Sequence, residues 1–321
     1  MSRKDDMIAA LQHREPATAV PAWEIEFHAW DAASDKHMVL GREFEALTAA
    51  EQEKAMYANA GIMIGVGAEM HWSAITSPGA YWEQSPGKLA YYCLPGEARY
   101  RQFAILREMA PPDLMLIANT GGILCANYSE EFCERMFEEP EMIDSMAEET
   151  CAYGVELAKR FRDLGADAVL SASDIADNSG PFFNPQQMER WIYPYLTRWA
   201  EALRQTGLFS ILHSDGNLAQ YVDGLASCGI DALQAIDPVA GMDIVRTKAQ
   251  AAGRLCLCGN VDCGMLLLGA PGQVFDATRD LLLACKPGGN FALGASNAVQ
   301  PEVPIANYRA MVEAWKKFGT Y

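Results

Sequence analysis

The stretch Leu208-Phe209-Ser210-Ile211-Leu212-His213-Ser214-Asp215-Gly216-Asn217 sets an apolar run directly against a group of polar, metal-competent side chains. The run reads as a buried strand, and the polar residues stand where that strand should end. In a barrel of parallel strands, that end is where catalytic groups collect. Side chains alternate along an extended chain, so the His-x-Asp spacing sends His213 and Asp215 to the same side. Taken alone, the pair fits two readings: a site, or a histidine satisfied by a neighbouring carboxylate in a polar core.

Working outward, the chain alternates apolar runs with helical patterns. Candidate strands are Ala22–Phe27, Ile62–Val66, Leu114–Asn119, Ala168–Ser173, Ser210–His213, Ala232–Ile236, Leu255–Gly259 and Phe291–Ala295. Apolar residues at three- and four-residue spacing predict helices over Glu139–Leu164, Pro185–Thr206, Leu218–Cys228, Asp243–Ala252 and Gln273–Ala284. Such alternation means crossovers between parallel strands. Eight strands, several ending in polar residues, predict an α/β fold: a (β/α)8 TIM barrel forming a single domain over 1–321. No Gly-x-Gly-x-x-Gly follows the first strand, which weakens a dinucleotide-binding reading. An amphipathic N-terminal segment precedes the barrel. Residues 73–100, rich in turns and aromatics (Tyr81, Trp82, Tyr91, Tyr92), predict a hairpin-like excursion over one barrel end.

Composition agrees with a large soluble enzyme. The chain has 321 residues, half of them hydrophobic, and a formal charge of −17. That acidity disfavours nucleic acid and anionic membrane surfaces as partners, and no Lys/Arg-rich stripe counters it. No run approaches the roughly 18 apolar residues of a membrane span, and the start lacks a signal-peptide pattern. With nine scattered cysteines, the expectation is a cytoplasmic protein with reduced thiols. Cys256, Cys258 and Cys263 lack Cys-x-x-Cys spacing and read as small core hydrophobes.

The strand ends offer a convergent polar set. Candidate catalytic groups are His213, Asp215, Asp174 and Asp177; the last two crowd before the Gly180-Pro181 turn. Candidate substrate-binding groups are Glu24, Glu26, His28, Asn119, Asn178, Ser296 and Asn297. Carboxylates and amides at strand ends supply orientation and proton transfer in such a fold. An Asp after a strand also serves as a helix N-cap, and Asp262 and Asn217 suit that role. Trp23, Phe27, Trp30 and Trp72 read as core or as walls for an apolar substrate.

At these residues the chain resembles the uroporphyrinogen decarboxylase superfamily. The matching pieces are Ala10-Leu11-Gln12-His13-Arg14-Glu15-Pro16, Ser173-Asp174-Ile175-Ala176 with Gly180-Pro181 and Asn184-Pro185, and His213-Ser214-Asp215-Gly216-Asn217. Gly259-Asn260-Val261-Asp262 and Gln300-Pro301-Glu302-Val303-Pro304 with Asn307 complete them. The resemblance implies a barrel with a deep cleft at the strand C-termini. Decarboxylases of this kind grip a tetrapyrrole bearing eight carboxylates through an arginine-rich N-terminal segment. Here that segment, Ala19–His28, carries Glu24 and Glu26 and no arginine. Acids there would repel a polyanion.

The resemblance is stronger to the zinc-dependent branch that exchanges methyl groups with a corrinoid protein. Its zinc ligands are a His-x-Cys pair, a later Cys near the eighth strand, and sometimes a carboxylate. His213 matches the His, Asp215 replaces the first Cys, and Asp237 falls near the carboxylate; Ser296-Asn297 stand where the last Cys is expected. The implied metal ligands are therefore His213, Asp215 and Asp237, a harder set suited to polarising an ether oxygen rather than a thiol. The expected activity is demethylation of a small donor, such as a methoxylated aromatic, with transfer to a corrinoid-binding protein. Without a metal, His213 would protonate the leaving oxygen itself. The alternatives are a cofactor-free decarboxylase and a binding barrel that has lost catalysis.

Overall fold

The computed structural model describes residues 2–77, 79–80, 93–94 and 96–321. Seven parallel strands form one curled sheet in sequence order: β1 (Ala74–Thr76), β2 (Met115–Asn119), β3 (Ala168–Ala172), β4 (Phe209–His213), β5 (Ala232–Gln234), β6 (Cys256–Val261) and β7 (Phe291–Ala295). Each strand pairs with the next in the chain, and helices supply the crossovers. The predicted helices form over Pro140–Asp163, Ile244–Ala251 and Pro271–Cys285, with a shorter one at Val222–Ser227. The Pro185–Thr206 helix is interrupted by a π-turn at Met188–Ile192 before Tyr193–Gln205 resumes. Pro194 has no N–H to donate and its ring crowds the preceding turn, which explains the break.

The strands are buried on both faces, as a parallel sheet requires. Alternate residues Met115, Ile117, Ala168, Leu170, Ile211, Ala232, Cys256, Cys258 and Ala292 pack inside the curl with Trp23 and Ile25. Their neighbours Leu116, Val169, Leu212, Leu233, Leu257 and Leu293 face the helix layer. The helix Arg3–Leu11, begun by a Ser2/Asp5 capping box, pushes Met7, Ala10 and Leu11 into the inner core. Lys4 ties it to Asp167, just before β3, at 2.5 Å. The N-terminal end of the sheet is thereby plugged, and the C-terminal end is left for chemistry.

Several expectations are corrected. Among the described residues the expected barrel shows seven ladder strands in one curled sheet. Ala22–Phe27 is not a ladder strand; it makes isolated bridges, Ala22 to Leu293 and Phe27 to Val299. It still touches both sheet edges: Trp23 N–H donates to Leu293 O at 2.9 Å, and Ser73 N–H donates to Ala22 O at 2.7 Å. Ile62–Val66 lies inside the helix Ala49–Glu69, and the strand falls at Ala74–Thr76 instead. A five-residue apolar run does not separate helix from strand; the Thr48/Glu51 capping box upstream decides it. In the excursion, Gly79–Ala80 pairs with Cys93–Leu94 in parallel, so these are not the arms of a hairpin. Tyr81, Trp82, Tyr91 and Tyr92 lie outside the described residues. Among the described residues, no helix is long and apolar enough to cross a membrane.

Candidate active site at the strand ends

His213 shares the inward parity of Phe209 and Ile211, is the last residue of β4, and is 6% exposed. Its register partner on β5 is Gln234. The Gln234 side-chain N–H donates to Ala295 O at 3.3 Å, which turns its carbonyl oxygen toward the imidazole. His213 Nδ1 lies 2.5 Å from that oxygen. A carbonyl has no proton to give, so Nδ1 carries a hydrogen toward it, and Nε2 is the ring nitrogen left to face the carboxylates. Nε2 faces Asp174 Oδ1 at 3.6 Å and Asp215 Oδ1 at 3.7 Å.

The turn after β4 is fastened to the loop after β3. Ile175 N–H donates to Ser214 Oγ at 3.0 Å, Asp215 N–H to Asp174 Oδ1 at 2.9 Å, and Asn217 N–H to Asp177 O at 2.9 Å. Gly216 permits this approach: its φ is +88°, and a Cβ there would meet Asp177 N at 2.5 Å. On the far side, Asn297 Nδ2 donates to Asp215 Oδ2 at 2.5 Å. After β5, Ala235 and Ile236 take φ of +97° and +48°, and Asn260 Nδ2 holds Ile236 O at 2.8 Å. A β-branched residue in the left-handed region is costly and persists only where surroundings over-determine it.

Burial pushes the Asp215 carboxyl above the usual carboxylate range; the charges of Asp174 and Asp237 add to this, while His213 and Asn297 oppose it. Asp215 Oδ1 is buried and has no hydrogen-bond partner among the described residues. Donor atoms of Asp174, His213 and Asp215 all lie within 4.8 Å of one another. Ligands at about 2.0–2.2 Å from a tetrahedral zinc stand roughly 3.3–3.6 Å apart, so small side-chain shifts bring these three onto one ion. The orphaned Oδ1 is what such an ion would satisfy, with His213 Nε2 beside it. The triad is Asp174, His213 and Asp215; Asp237 is outside it, and Asp237 Oδ1 instead accepts Val239 N–H at 2.9 Å.

Beside the triad opens a cleft of about 430 Å³, lined by Cys125, Tyr128, Asp174, Asp177, Asn178 and Asp215 among others, and among the described residues no lysine or arginine lines it. Asp177 Oδ1 caps its own turn, accepting from Ser179 and Gly180 N–H at 2.7 and 3.2 Å. Tyr128 is 59% exposed and stacks edge-on to Phe182 at 4.8 Å. Burial raises the Tyr128 hydroxyl, and the Asp177 charge raises it further.

The remaining expected site residues are placed elsewhere. Asn119 accepts Gly121 N–H at 3.3 Å, and Ser296 Oγ sits 3.6 Å from Cys263 Sγ. Glu26 meets the buried His28 imidazole at 3.2 Å. Glu24 is sequestered in the helix-facing layer: Oε1 accepts from Tyr308 at 2.8 Å and Oε2 from Ala295 N–H at 2.9 Å. Burial pushes its carboxyl up to about 8. Phe27, Trp30, Trp72 and Tyr308 pack edge-to-face at 5.0–6.3 Å, and Trp23 is likewise buried, so these aromatics are core rather than substrate walls. Cys256 and Cys258 point into the inner core as small hydrophobes.

Sequence reasoning missed Gln234, Cys125 and Tyr128, and the role of Asn297 as the donor to Asp215. Gln234 lies inside the candidate strand Ala232–Ile236, but only the β4–β5 register pairs it with His213. Cys125 and Tyr128 come from a connection without periodic signal.

Comparison with known proteins bears on this site. A solved methyltransferase from Methanosarcina mazei superposes with a TM-score of 0.75 over 99% of each chain at 17% identity, a likeness of fold. The uroporphyrinogen decarboxylase of Anaeromyxobacter dehalogenans is 31% identical over 134 residues, 42% of this chain and 37% of that protein. That of Coxiella burnetii is 24% identical over 187 residues, 57% of this chain and 50% of that protein. The chain thus spans half or less of the length of these curated relatives. The family model described as Uroporphyrinogen decarboxylase (URO-D) matches residues 103–318, from the helix before β2 to the last helix, and so includes every member of the triad: the chain belongs to the URO-D family.

Proposed function

We propose that this protein is a cytoplasmic methyltransferase that demethylates a small methoxylated aromatic and passes the methyl group to a corrinoid carried by a separate corrinoid-binding protein. The observation that carries this reading is His213 Nε2 facing two carboxylates, beside a cleft whose lining, among the described residues, holds no cationic side chain. A porphyrinogen decarboxylase must grip many carboxylates, and this lining would repel them.

When bound, a divalent metal such as zinc supplies Lewis acidity toward an ether oxygen, and a reduced corrinoid supplies the nucleophile that accepts methyl. The chain's own residues do the rest. His213, Asp174 and Asp215 would hold the metal; Gln234 orients the imidazole, and Asn297 keeps one Asp215 oxygen occupied so that the other turns inward. Tyr128, backed by Phe182, offers an aromatic face to the donor, with Asp177 and Asn178 at the rim. The methyl–oxygen bond breaks with its electron pair left on oxygen, and the phenol departs after protonation from solvent.

The test uses the full chain purified without chelator. Metal content is measured by mass spectrometry, and the protein is mixed with cob(I)alamin and 2-methoxyphenol. The reading expects stoichiometric metal, the absorbance of methylcobalamin, and catechol. Turnover of uroporphyrinogen, or absence of methyl transfer across a panel of methoxylated phenols, overturns it.

A further inference from the structure

The structure assigns Glu24 a positioning role: its carboxyl pins Ala295, and through Ala295 it sets the two hydrogen bonds that aim His213 and Asp215. This deepens the site reading proposed above and rests on it. Glu24 is 4% exposed, lies outside the cleft, and touches none of the triad. A buried carboxyl is expensive unless its oxygens are engaged, and both of them are. Trp72 Nε1 donates to the Tyr308 hydroxyl at 2.8 Å, Tyr308 donates to Glu24 Oε1 at 2.8 Å, and Ala295 N–H donates to Oε2 at 2.9 Å.

Ala295 is the last residue of β7 and is held at both of its polar atoms. Glu24 takes its N–H; its C=O receives Gln234 Nε2, the contact that turns the Gln234 oxygen toward His213 Nδ1. Two residues on, Asn297 reaches Asp215. One strand end therefore carries both aiming contacts, and Glu24 is the side chain that holds it from the helix layer. The β6–β7 ladder runs as far as Val261 and Ala295 on one side; on the other side β7 meets only isolated bridges from the segment Ala22–Phe27, and there Glu24 engages the Ala295 N–H. Gly294 keeps the approach close, since a Cβ there would meet Trp23 O at 2.2 Å.

The test compares Glu24→Leu, Glu24→Gln and Tyr308→Phe in the full chain with wild type. The chain has five histidines, so the His213 ring nitrogens can be assigned by 15N NMR from the signals lost in His213→Asn. Titration with Co2+ alone gives the affinity of the triad. Glu24→Leu is expected to change the His213 ring from the Nδ1–H tautomer to a mixture and to weaken Co2+ binding about tenfold or more, the scale of losing an outer-shell partner. Glu24→Gln is expected to restore both readings, because its amide oxygen still accepts Ala295 N–H. Tyr308→Phe is expected to shift the tautomer less, in the same direction, and decides the matter if Glu24→Leu does not fold. A folded Glu24→Leu with the wild-type tautomer, or Tyr308→Phe with the wild-type tautomer when Glu24→Leu is unfolded, overturns the proposal. The tautomer reading uses neither metal nor methyl donor, so it fails separately from the methyltransferase reading.

Discussion

His213 Nδ1 donates to Gln234 Oε1 at 2.5 Å, and this one contact determines which imidazole nitrogen faces Asp174 and Asp215. Gln234 is itself oriented by Ala295 O, so the tautomer of the histidine is set by a strand that it does not touch in the ladder.

Gln234→Leu keeps side-chain bulk and removes the acceptor. Co2+ affinity of the triad is expected to fall about 10- to 100-fold, as outer-shell losses do, while far-UV circular dichroism stays unchanged. An unaltered Co2+ affinity would show that Gln234 does not orient the ring.

His213→Ala is expected to lower methyl transfer to cob(I)alamin by at least about 100-fold. Its melting temperature should stay close to wild type, because the ring faces polar partners at the strand end rather than the apolar core. A variant that unfolds would make His213 a structural residue.

Glu24 links stability to pH. Its folded value of about 8 stands above the ordinary 4.5, so between those limits the folded state binds more protons than the unfolded chain. Stability then falls as pH rises through that window, by on the order of a few kcal/mol. Glu24→Gln has no such proton. Urea unfolding at pH 5 and pH 8.5 should show the variant gaining on wild type at the higher pH; equal differences at both would contradict the burial argument.

Gly294→Ala places a Cβ against the backbone oxygen of Trp23 at 2.2 Å, where no side chain can yield. The segment Ala22–Phe27 must move off β7, at a cost of about 2–4 kcal/mol. Urea unfolding reads this, and a wild-type midpoint would mean that the segment is held elsewhere.

Much of the architecture was legible locally. Strand–helix alternation located six of the seven sheet strands, and the polar residues after β4 marked the end that carries the triad. Where reading failed, it failed for a physical reason. Ile62–Val66 is apolar for the sake of a buried helix face, and no pattern within five residues separates that from a strand. Asp174 and Asp177 are three residues apart and look alike in sequence, yet one faces His213 while the other caps its own turn.

The sequence by itself determined that His213 and Asp215 share a side, because extended chains alternate with period two whatever surrounds them. It also carried the family resemblance. Only the tertiary structure decided that Asp174 rather than Asp237 completes the triad, that Glu24 faces the helix layer, and that Asn297 steadies Asp215 from 82 residues away. Those outcomes depend on strand register and on the curl of the sheet, where a shift of one residue turns each side chain to the opposite face.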